Sequence, residues 1–305
     1  MTKFILVIVV TSLISFRAFA EPEAKVVVTE VEYTTKNLAD FFQSAEPWPI
    51  PILQPDQVPK DFKNYLDPEI IESGAIYPDQ TLTTPLQIAE KVPRNERFQP
   101  PASSVGKLFF KRSGKSYVCS ASIVNKFNLL VTAAHCLRSN GVNSTDIYFH
   151  ALYPIPGSTY DALRVYVDDR WHSNEKYAYD FGIIQLKYPI MDGMPALGYR
   201  FNGSLKGQSW TSYGYPAASP FPGNALYKAS DSYKGRRDTP STYGMENDMT
   251  GGSSGGPWIS DVSGAMRVMG LNSYKIVGQP RKMFSPYFSG SFCRVLSEAG
   301  GKCPP

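Results

Sequence analysis

The chain has 305 residues, of which 42% are hydrophobic, 13% aromatic and only 19% charged, a balance that excludes an extended disordered chain or a long coiled coil. A formal net charge of +4, with no basic run interleaved with aromatics, argues against a nucleic-acid partner. With 25 Pro and 24 Gly spread along the sequence, many turns and few long helices are expected, and the composition leans to an all-β protein.

Residues 1–20 read as a secretory leader. Lys3 gives a positive start, residues 4–14 are apolar, and Ala18-Phe19-Ala20 is a small-x-small cleavage signal, with the cut after Ala20. The run is shorter than the roughly 20 apolar residues a transmembrane helix needs, and Arg17 argues against a retained anchor. No other stretch reads as a span, so the mature chain is expected to be exported and free of membrane: extracellular, or periplasmic if the host has a periplasm.

Charge divides the remainder. Residues 21–100 hold 14 Asp/Glu against 7 Lys/Arg, and residues 101–305 hold 13 against 22. The acidic part also carries 11 of the 25 prolines and no cysteine. Trp48-Pro49-Ile50-Pro51 and Gln54-Pro55-Asp56 are expected to be extended, because Pro fixes φ and restricts its predecessor. Residues 21–97 thus read either as a pro-segment docked by charge on a basic domain at 98–305, or as a solvated linker. The boundary is expected between about 90 and 103, where Arg94 and Arg97 precede Gln99-Pro100-Pro101.

From Ser104 short apolar or alternating runs are separated by turn residues. Residues 108–110, 117–124, 129–133, 147–150, 163–167, 181–186, 210–213, 225–227, 258–259 and 266–273 read as strands. Such a series with no helical period between members points to barrels or a sandwich. The only helix expected in this domain lies around 292–298. Four cysteines in an exported chain suggest two disulfides. Cys119 and Cys136 flank two consecutive strands, and Cys293 and Cys303 bracket a tail that Gly300 and Gly301 let fold back; spacing alone leaves the other pairings open. No closely placed cysteine pairs suggest a structural metal.

The segment Thr250-Gly251-Gly252-Ser253-Ser254-Gly255-Gly256-Pro257 packs four glycines around a serine. A nucleophilic Ser needs a tight turn exposing Oγ, with backbone N–H groups free to bind an oxyanion, and glycine permits both. A flexible Gly/Ser surface loop has the same composition, but Ser254 has company. An apolar strand at 129–133 leads into His135-Cys136, and Tyr179-Asp180-Phe181 sets Asp180 at the mouth of another apolar strand. His, Asp and Ser occur in the order of one group of serine hydrolases.

With TAAHC at 132–136, DFGIIQL at 180–186 and GGSSGGP at 251–257, the sequence resembles the chymotrypsin/trypsin-like serine proteases over roughly residues 104–290. It looks most similar to the secreted microbial branch that includes the glutamyl endopeptidases, because Gly251-Gly252 precede the serine pair. The resemblance implies two antiparallel six-stranded β-barrels, a short C-terminal helix and a triad in the cleft between the barrels. Ser254 resembles the acylated nucleophile, His135 the general base and then acid, and Asp180 the carboxylate orienting the imidazole. The N–H groups of Gly252 and Ser254 resemble the oxyanion hole, and Cys119–Cys136 the bridge holding the histidine loop. The run Met266 to Tyr274 resembles the strand that pairs with substrate backbone, and Ser273 stands where the family has a serine beside the triad aspartate.

For the substrate pocket, the resemblance points to Asp248, Ser273, Tyr274 and Lys275. Asp248 occupies the place where trypsin-like relatives hold an acid for Arg or Lys substrates, but Lys275 either neutralises it or attracts an acidic side chain, and a turn-capping role for Asp248 fits equally. His150 and His172 read as packed or surface histidines, and Asp168-Asp169 as a turn. Where several relatives have a disulfide, Asn247 and Ala229 stand instead, so two bridges and no free thiol are expected. Ser253 replaces the Asp that pairs with a new N-terminal amine in trypsin-like zymogens, so activation is expected not to use that salt bridge. Asn143-Ser144-Thr145 and Asn202-Gly203-Ser204 fit glycosylation acceptors in a eukaryotic secretory route.

Two other classes compete. Gly252-Ser253-Ser254-Gly255-Gly256 also fits the nucleophile elbow of α/β-hydrolases, but those enzymes place His after Ser, and all three histidines, at 135, 150 and 172, precede Ser254. A catalytically inactive protease homologue that binds or scaffolds is the alternative. Acyl transfer by Ser-His-Asp implies no cofactor and no metal; protein or peptide substrates, no nucleic acid and a monomer are expected.

Overall fold

The computed structural model describes residues 25–54, 56–57, 88–125, 128–156, 158–190, 194–203, 207–232 and 242–303. The expected leader lies outside these residues, as does Ser204 of the second glycosylation motif. No helix among the described residues is long and apolar enough to cross a membrane.

The described residues of the acidic N-terminal region pair and pack with the elements that follow. It supplies β1 (Val26–Glu30), α1 (Leu38–Ser44), β2 (Glu46–Pro47), β3 (Ile52–Leu53) and β4 (Glu90–Lys91). Helix α1 starts where the Asn37 side chain accepts from the N–H groups of Ala39 and Asp40. It buries Phe41 against Phe109, Val118 and Tyr148, a helix that the Pro-rich composition of the region does not suggest.

Next come β5 (Val105–Arg112), β6 (Lys115–Ile123), β7 (Leu129–Thr132), α2 (Ala134–Leu137), the small hairpin β8 (Arg138–Ser139) and β9 (Val142–Asn143), β10 (Thr145–Ala151), β11 (Thr159–Asp168), α3 (Asp169–Asn174) and β12 (Gly182–Leu186). Their order β11-β10-β5-β6-β7-β12, with β12 pairing back onto β11, closes a six-stranded barrel. The runs that read as continuous apolar strands are those buried on both faces, such as Leu129–Thr132. Leu108, Ile123, Leu130, Ile147, Phe149 and Ile184 fill the interior. The long β11 changes partners along its length: residues 159–161 pair with β10 and residues 162–167 with β12. That switch leaves the other edge of its second half open, and β1 fills it antiparallel, from Val26 opposite Asp168 to Glu30 opposite Arg164.

The second unit contains β13 (Gly198–Tyr199), β14 (Ser209–Gly214), β15 (Tyr227–Ser232), β16 (Thr242–Glu246), β17 (Pro257–Val262), β18 (Ala265–Leu271), β19 (Lys275–Ile276), β20 (Lys282–Pro286) and α4 (Gly290–Glu298). Six strands run in the order β13-β18-β17-β14-β15-β4, and β16 and β20 form a ladder of their own. Of the expected pair of closed barrels, the ladders close the first. Among the described residues no ladder closes the second sheet, whose end strands β13 and β4 contribute only two paired residues each. Trp210, Tyr243, Met245, Trp258, Met269 and Met283 fill the space between this sheet and the β16–β20 ladder.

Strand β15 is displaced from its expected place at 225–227. Its polar sequence carries no strand signal, but six consecutive pairings with β14 hold it extended. The C-terminal helix starts two residues before the expected Phe292, capped by Ser289, and buries Phe292, Val295 and Leu296. Both disulfides, Cys119–Cys136 and Cys293–Cys303, are present.

Candidate active site

The β7–β12 ladder brings the histidine and the aspartate together. Gly182 pairs with Thr132, so the residues just outside that pair, Asp180 before β12 and His135 after β7, meet beyond the end of the sheet. Asp180 follows the single helical turn Tyr177–Tyr179, and His135 sits in the first turn of α2. The 2.05 Å bond from the adjacent Cys136 to Cys119 of β6 holds that turn. His135 Nδ1 lies 2.7 Å from Asp180 Oδ2, and the His135 backbone N–H donates to Asp180 Oδ1 at 2.8 Å. A carboxylate only accepts, so Nδ1 carries the proton and Nε2 is left with its lone pair. Ser273 Oγ donates at 2.5 Å to the same Asp180 Oδ2 that faces the imidazole; the resemblance places Ser273 beside the aspartate. Asp180, His135 and Ser273 are all buried.

Residues 250–256 form the turn that carries Ser254. Gly252 adopts φ of +91° and Gly255 +79°, left-handed conformations that a side chain would strain. Gly255 also lies so close to the histidine strand that a Cβ on it would sit 2.7 Å from the Ala133 backbone nitrogen. The glycines at 252 and 255 therefore follow from chain geometry, as the sequence suggests. Ser253 closes the turn on itself: its N–H and its Oγ both donate to the Thr250 carbonyl, at 3.1 and 2.8 Å. The Gly252 N–H points out of the turn and donates to the Trp48 carbonyl at 3.1 Å. Ser254 Oγ and His135 Nε2 are buried, and neither has a hydrogen-bond partner among the described residues.

Two residues that the sequence does not single out hold this turn in place. Ser120, on β6 beside Cys119, donates its Oγ to the Gly252 carbonyl at 3.0 Å and accepts from the Tyr215 N–H at 2.9 Å; its own N–H donates to the Ser254 carbonyl at 2.7 Å. Asn272 works from the other side. Its Nδ2 donates to the Ser253 carbonyl at 3.1 Å, while its Oδ1 accepts from Ser212 Oγ, Asn247 Nδ2 and Trp258 Nε1 at 2.9, 3.2 and 2.8 Å. Its backbone exchanges hydrogen bonds with Gly255 and Gly256. Only its position immediately before Ser273 in the substrate-strand motif hints at this in the sequence. Asn247 and Ala229, the positions expected to have lost a disulfide, belong to this polar cluster and to the β14–β15 ladder respectively.

The pocket residues have more specific surroundings than the resemblance implies. The Asp248 carboxylate accepts from the backbone N–H groups of Ile88 and Ala89 at 2.9 and 2.8 Å, so the N-terminal region satisfies it. Tyr274 is buried, its hydroxyl donating to Thr242 Oγ1 at 2.9 Å and its ring stacked on Phe284. Burial lowers the Lys275 ammonium to about 8, against which the charge of Asp248 acts; Nζ donates to the Pro280 carbonyl at 2.6 Å. A cleft of about 850 Å³ is lined by Pro49, Ile50, Asp248, Gly251 and Lys275, among others.

Other candidate groups stand apart from the site. His150 lies on β10 with Nε2 2.8 Å from the Ile155 carbonyl, and burial lowers its pKa. His172 lies on α3, and Asp168 caps that helix and pairs with Arg170, a capping role close to the expected turn. Cys119, His135 and Cys136 lie together, but the two sulfurs are joined, which removes them as metal ligands. Asn143 Oδ1 accepts from Arg138 Nη1 at 2.8 Å.

Comparison with known proteins agrees with this geometry. No curated protein matches the chain. Among solved structures, the protease Anisep from Arthrobacter nicotinovorans is 31% identical, with a TM-score of 0.58, over 66% of this chain and 97% of its own. The thermostable serine protease AL20 from an extremophilic microorganism is 29% identical, with a TM-score of 0.58, over 65% of this chain and 96% of its own. A Glu endopeptidase solved with MPD shares the fold at 16% identity, with a TM-score of 0.59 over 72% of this chain and 99% of its own. The trypsin-like peptidase domain matches residues 119–271, a span that contains His135, Asp180, Ser254 and the Cys119–Cys136 bridge, and the chain belongs to that family.

Proposed function

We propose that the chain is an exported serine endopeptidase that acts through an acyl-enzyme on Ser254. The observation that carries this reading is the doubly bonded His135–Asp180 pair beside a glycine turn whose N–H at residue 252 already binds a carbonyl oxygen. In the reaction, Ser254 Oγ attacks the substrate carbonyl carbon as His135 Nε2 takes its proton, and Asp180 steadies the imidazolium. The oxygen left carrying negative charge is held by the N–H groups of Gly252 and Ser254, each donor contributing about 2.7–4 kcal/mol. His135 then returns the proton to the leaving amine, and water releases the acyl group by the same steps in reverse roles. No side chain here calls for a cofactor.

Peptide or protein substrates follow from the family. A fluorophosphonate probe tests the assignment: it is expected to label the chain at Ser254, and Ser254→Ala is expected to fold normally and abolish both labelling and casein cleavage. Casein cleavage by Ser254→Ala at the unaltered rate would refute the reading in favour of an unrelated activity. Absence of labelling in every form of the chain would favour the inactive, scaffolding homologue.

We propose further that the leader directs export and that residues 21 to about 97 restrain the enzyme until removed. Of the basic residues expected to mark the boundary, Arg94 is exposed, whereas Arg97 is half-buried and donates from Nη2 to the Leu152 and Tyr153 carbonyls at 3.2 and 2.6 Å. Arg94 is therefore the better placed of the two for cleavage.

A further inference from the structure

Residues 46–53 run through the cleft between the two β units, and one of their contacts falls on the Gly252 N–H that the proposed mechanism needs. At one end β2 lies parallel to β6, and the Trp48 N–H donates to the Val118 carbonyl at 3.1 Å, one residue before Cys119. In the middle the Trp48 carbonyl accepts from the Gly252 N–H. The approach is so close that a Cβ on Gly251 would sit 2.8 Å from that carbonyl oxygen. At the other end β3 lies parallel to β19, with the Lys275 N–H donating to the Pro51 carbonyl at 2.9 Å and the Val277 N–H to the Leu53 carbonyl at 3.0 Å.

Side chains fix the same segment. Ile50 is buried in a cluster that includes Ala89 and Met249. The Trp48 ring stands edge-on to Tyr117 and lies 4.3 Å from the Arg112 guanidinium, whose Nη2 donates to the carbonyls of His135 and Cys136. The alternating Pro47, Pro49 and Pro51 have fixed φ and no N–H, so the segment is stiff and offers mainly carbonyls to a cleft that offers N–H donors. His135 and Ser254 are only 1% and 0% exposed with this segment in place.

We propose that residues 46–53 form an intramolecular strap that holds the protease closed, by placing the Trp48 carbonyl on the oxyanion donor of Gly252 and adding a parallel strand to the Lys275 edge. The strap takes the donors that a substrate backbone would take. Its polarity is opposite to that of a substrate added antiparallel to the same edge. The bond after Trp48 leads into Pro49, whose ring nitrogen is the leaving group that the histidine would have to protonate. Ion pairs of Glu30 with Arg164 and of Glu90 and Glu96 with Lys228 join the N-terminal region to the body, and the body's acids Asp146 and Asp248 accept from its backbone at Thr34, Thr35, Ile88 and Ala89. Within residues 46–53 themselves, backbone pairing, three prolines and the buried Ile50 and Leu53 hold the strap. This inference rests on the serine-protease reading.

The test uses the chain from Glu21 onward, intact, and its variants Ile50→Asp and Trp48→Gly, each labelled with a fluorophosphonate. If the open form is a minor state, loosening the strap is expected to raise the labelling rate at least about tenfold. Equal rates in the intact chain and in a folded variant would overturn the strap and leave the protease reading standing. A second measurement needs no variant. Phosphonylation of Ser254 places an oxygen on Gly252 and must expel the Trp48 carbonyl, so amide exchange at Lys275 and Val277 is expected to accelerate in the labelled chain while the barrel strands keep their protection. Unchanged protection at Lys275 and Val277 after complete labelling would overturn the strap even if neither variant folds. No labelling of any form would overturn the protease reading and the strap with it.

Discussion

Asp180 grips His135 at two points, the ring Nδ1 at 2.7 Å and the backbone N–H at 2.8 Å, one with each carboxylate oxygen. The bidentate hold fixes the position of the histidine turn as well as the tautomer of its ring. Asp180→Asn keeps the volume but offers an NH₂ where an acceptor stood, so Nε2 is pushed to carry the proton. Turnover on a peptide ester is expected to fall by about four orders of magnitude with the circular dichroism spectrum retained. A loss of less than about tenfold would show that Asp180 does not set the tautomer.

Asn272 is the positioning residue behind the nucleophile. Asn272→Ala removes the acceptor of three buried donors, on Ser212, Asn247 and Trp258, and the donor to the Ser253 carbonyl. Unpaired buried donors cost about 1–3 kcal/mol each, and partial relaxation brings the expected loss to about 3 kcal/mol in urea unfolding. Because the turn loosens, kcat is expected to fall more than KM rises. A KM effect alone would place Asn272 in substrate binding instead.

The Cys119–Cys136 bridge closes a loop with a sequence separation of 17 and pins the turn carrying His135. Replacing both cysteines with Ala is expected to cost about 3 kcal/mol and to slow labelling of Ser254. Both disulfides are formed and no described cysteine is free, so the native, unreduced chain is expected to show no reactive thiol with an aromatic disulfide reagent. One titrating thiol would contradict the pairing.

Lys107 gives a stability signature away from the site. Its ammonium is buried, donates to the Gly223 carbonyl at 2.8 Å and lies 4.4 Å from the centre of the Tyr153 ring. Burial lowers it from 10.5 to about 8. Between those values the unfolded chain binds more protons than the folded one, so this group makes stability rise with pH through that window and penalises the folded state below it. In Lys107→Met the rise in Tm between about pH 8 and 10 is expected to flatten relative to the unaltered chain; an unchanged slope would show that Lys107 does not titrate there.

The sequence by itself determined the family and the first barrel. Long apolar runs such as Leu129–Thr132 and Gly182–Leu186 are buried on both faces wherever they fold, so they read as strands without knowledge of their partners. The glycines around Ser254 encode a backbone path, and a backbone path is a local property. His135, Asp180 and Ser254 were legible because their order and flanking motifs are written along the chain. Only the tertiary structure decided what holds them. Ser120 and Asn272 are small polar residues in or just beyond strands, and their value lies in hydrogen-bond partners that folding brings from positions as distant as Gly252 and Ser212. Residues 46–53 show the difference most clearly. Their prolines announce an extended, donor-poor chain, but the groups that chain accepts from, Gly252 and Lys275, lie more than two hundred residues later. Conformation there is local physics, and the partner is set by the packing of the two β units around the cleft.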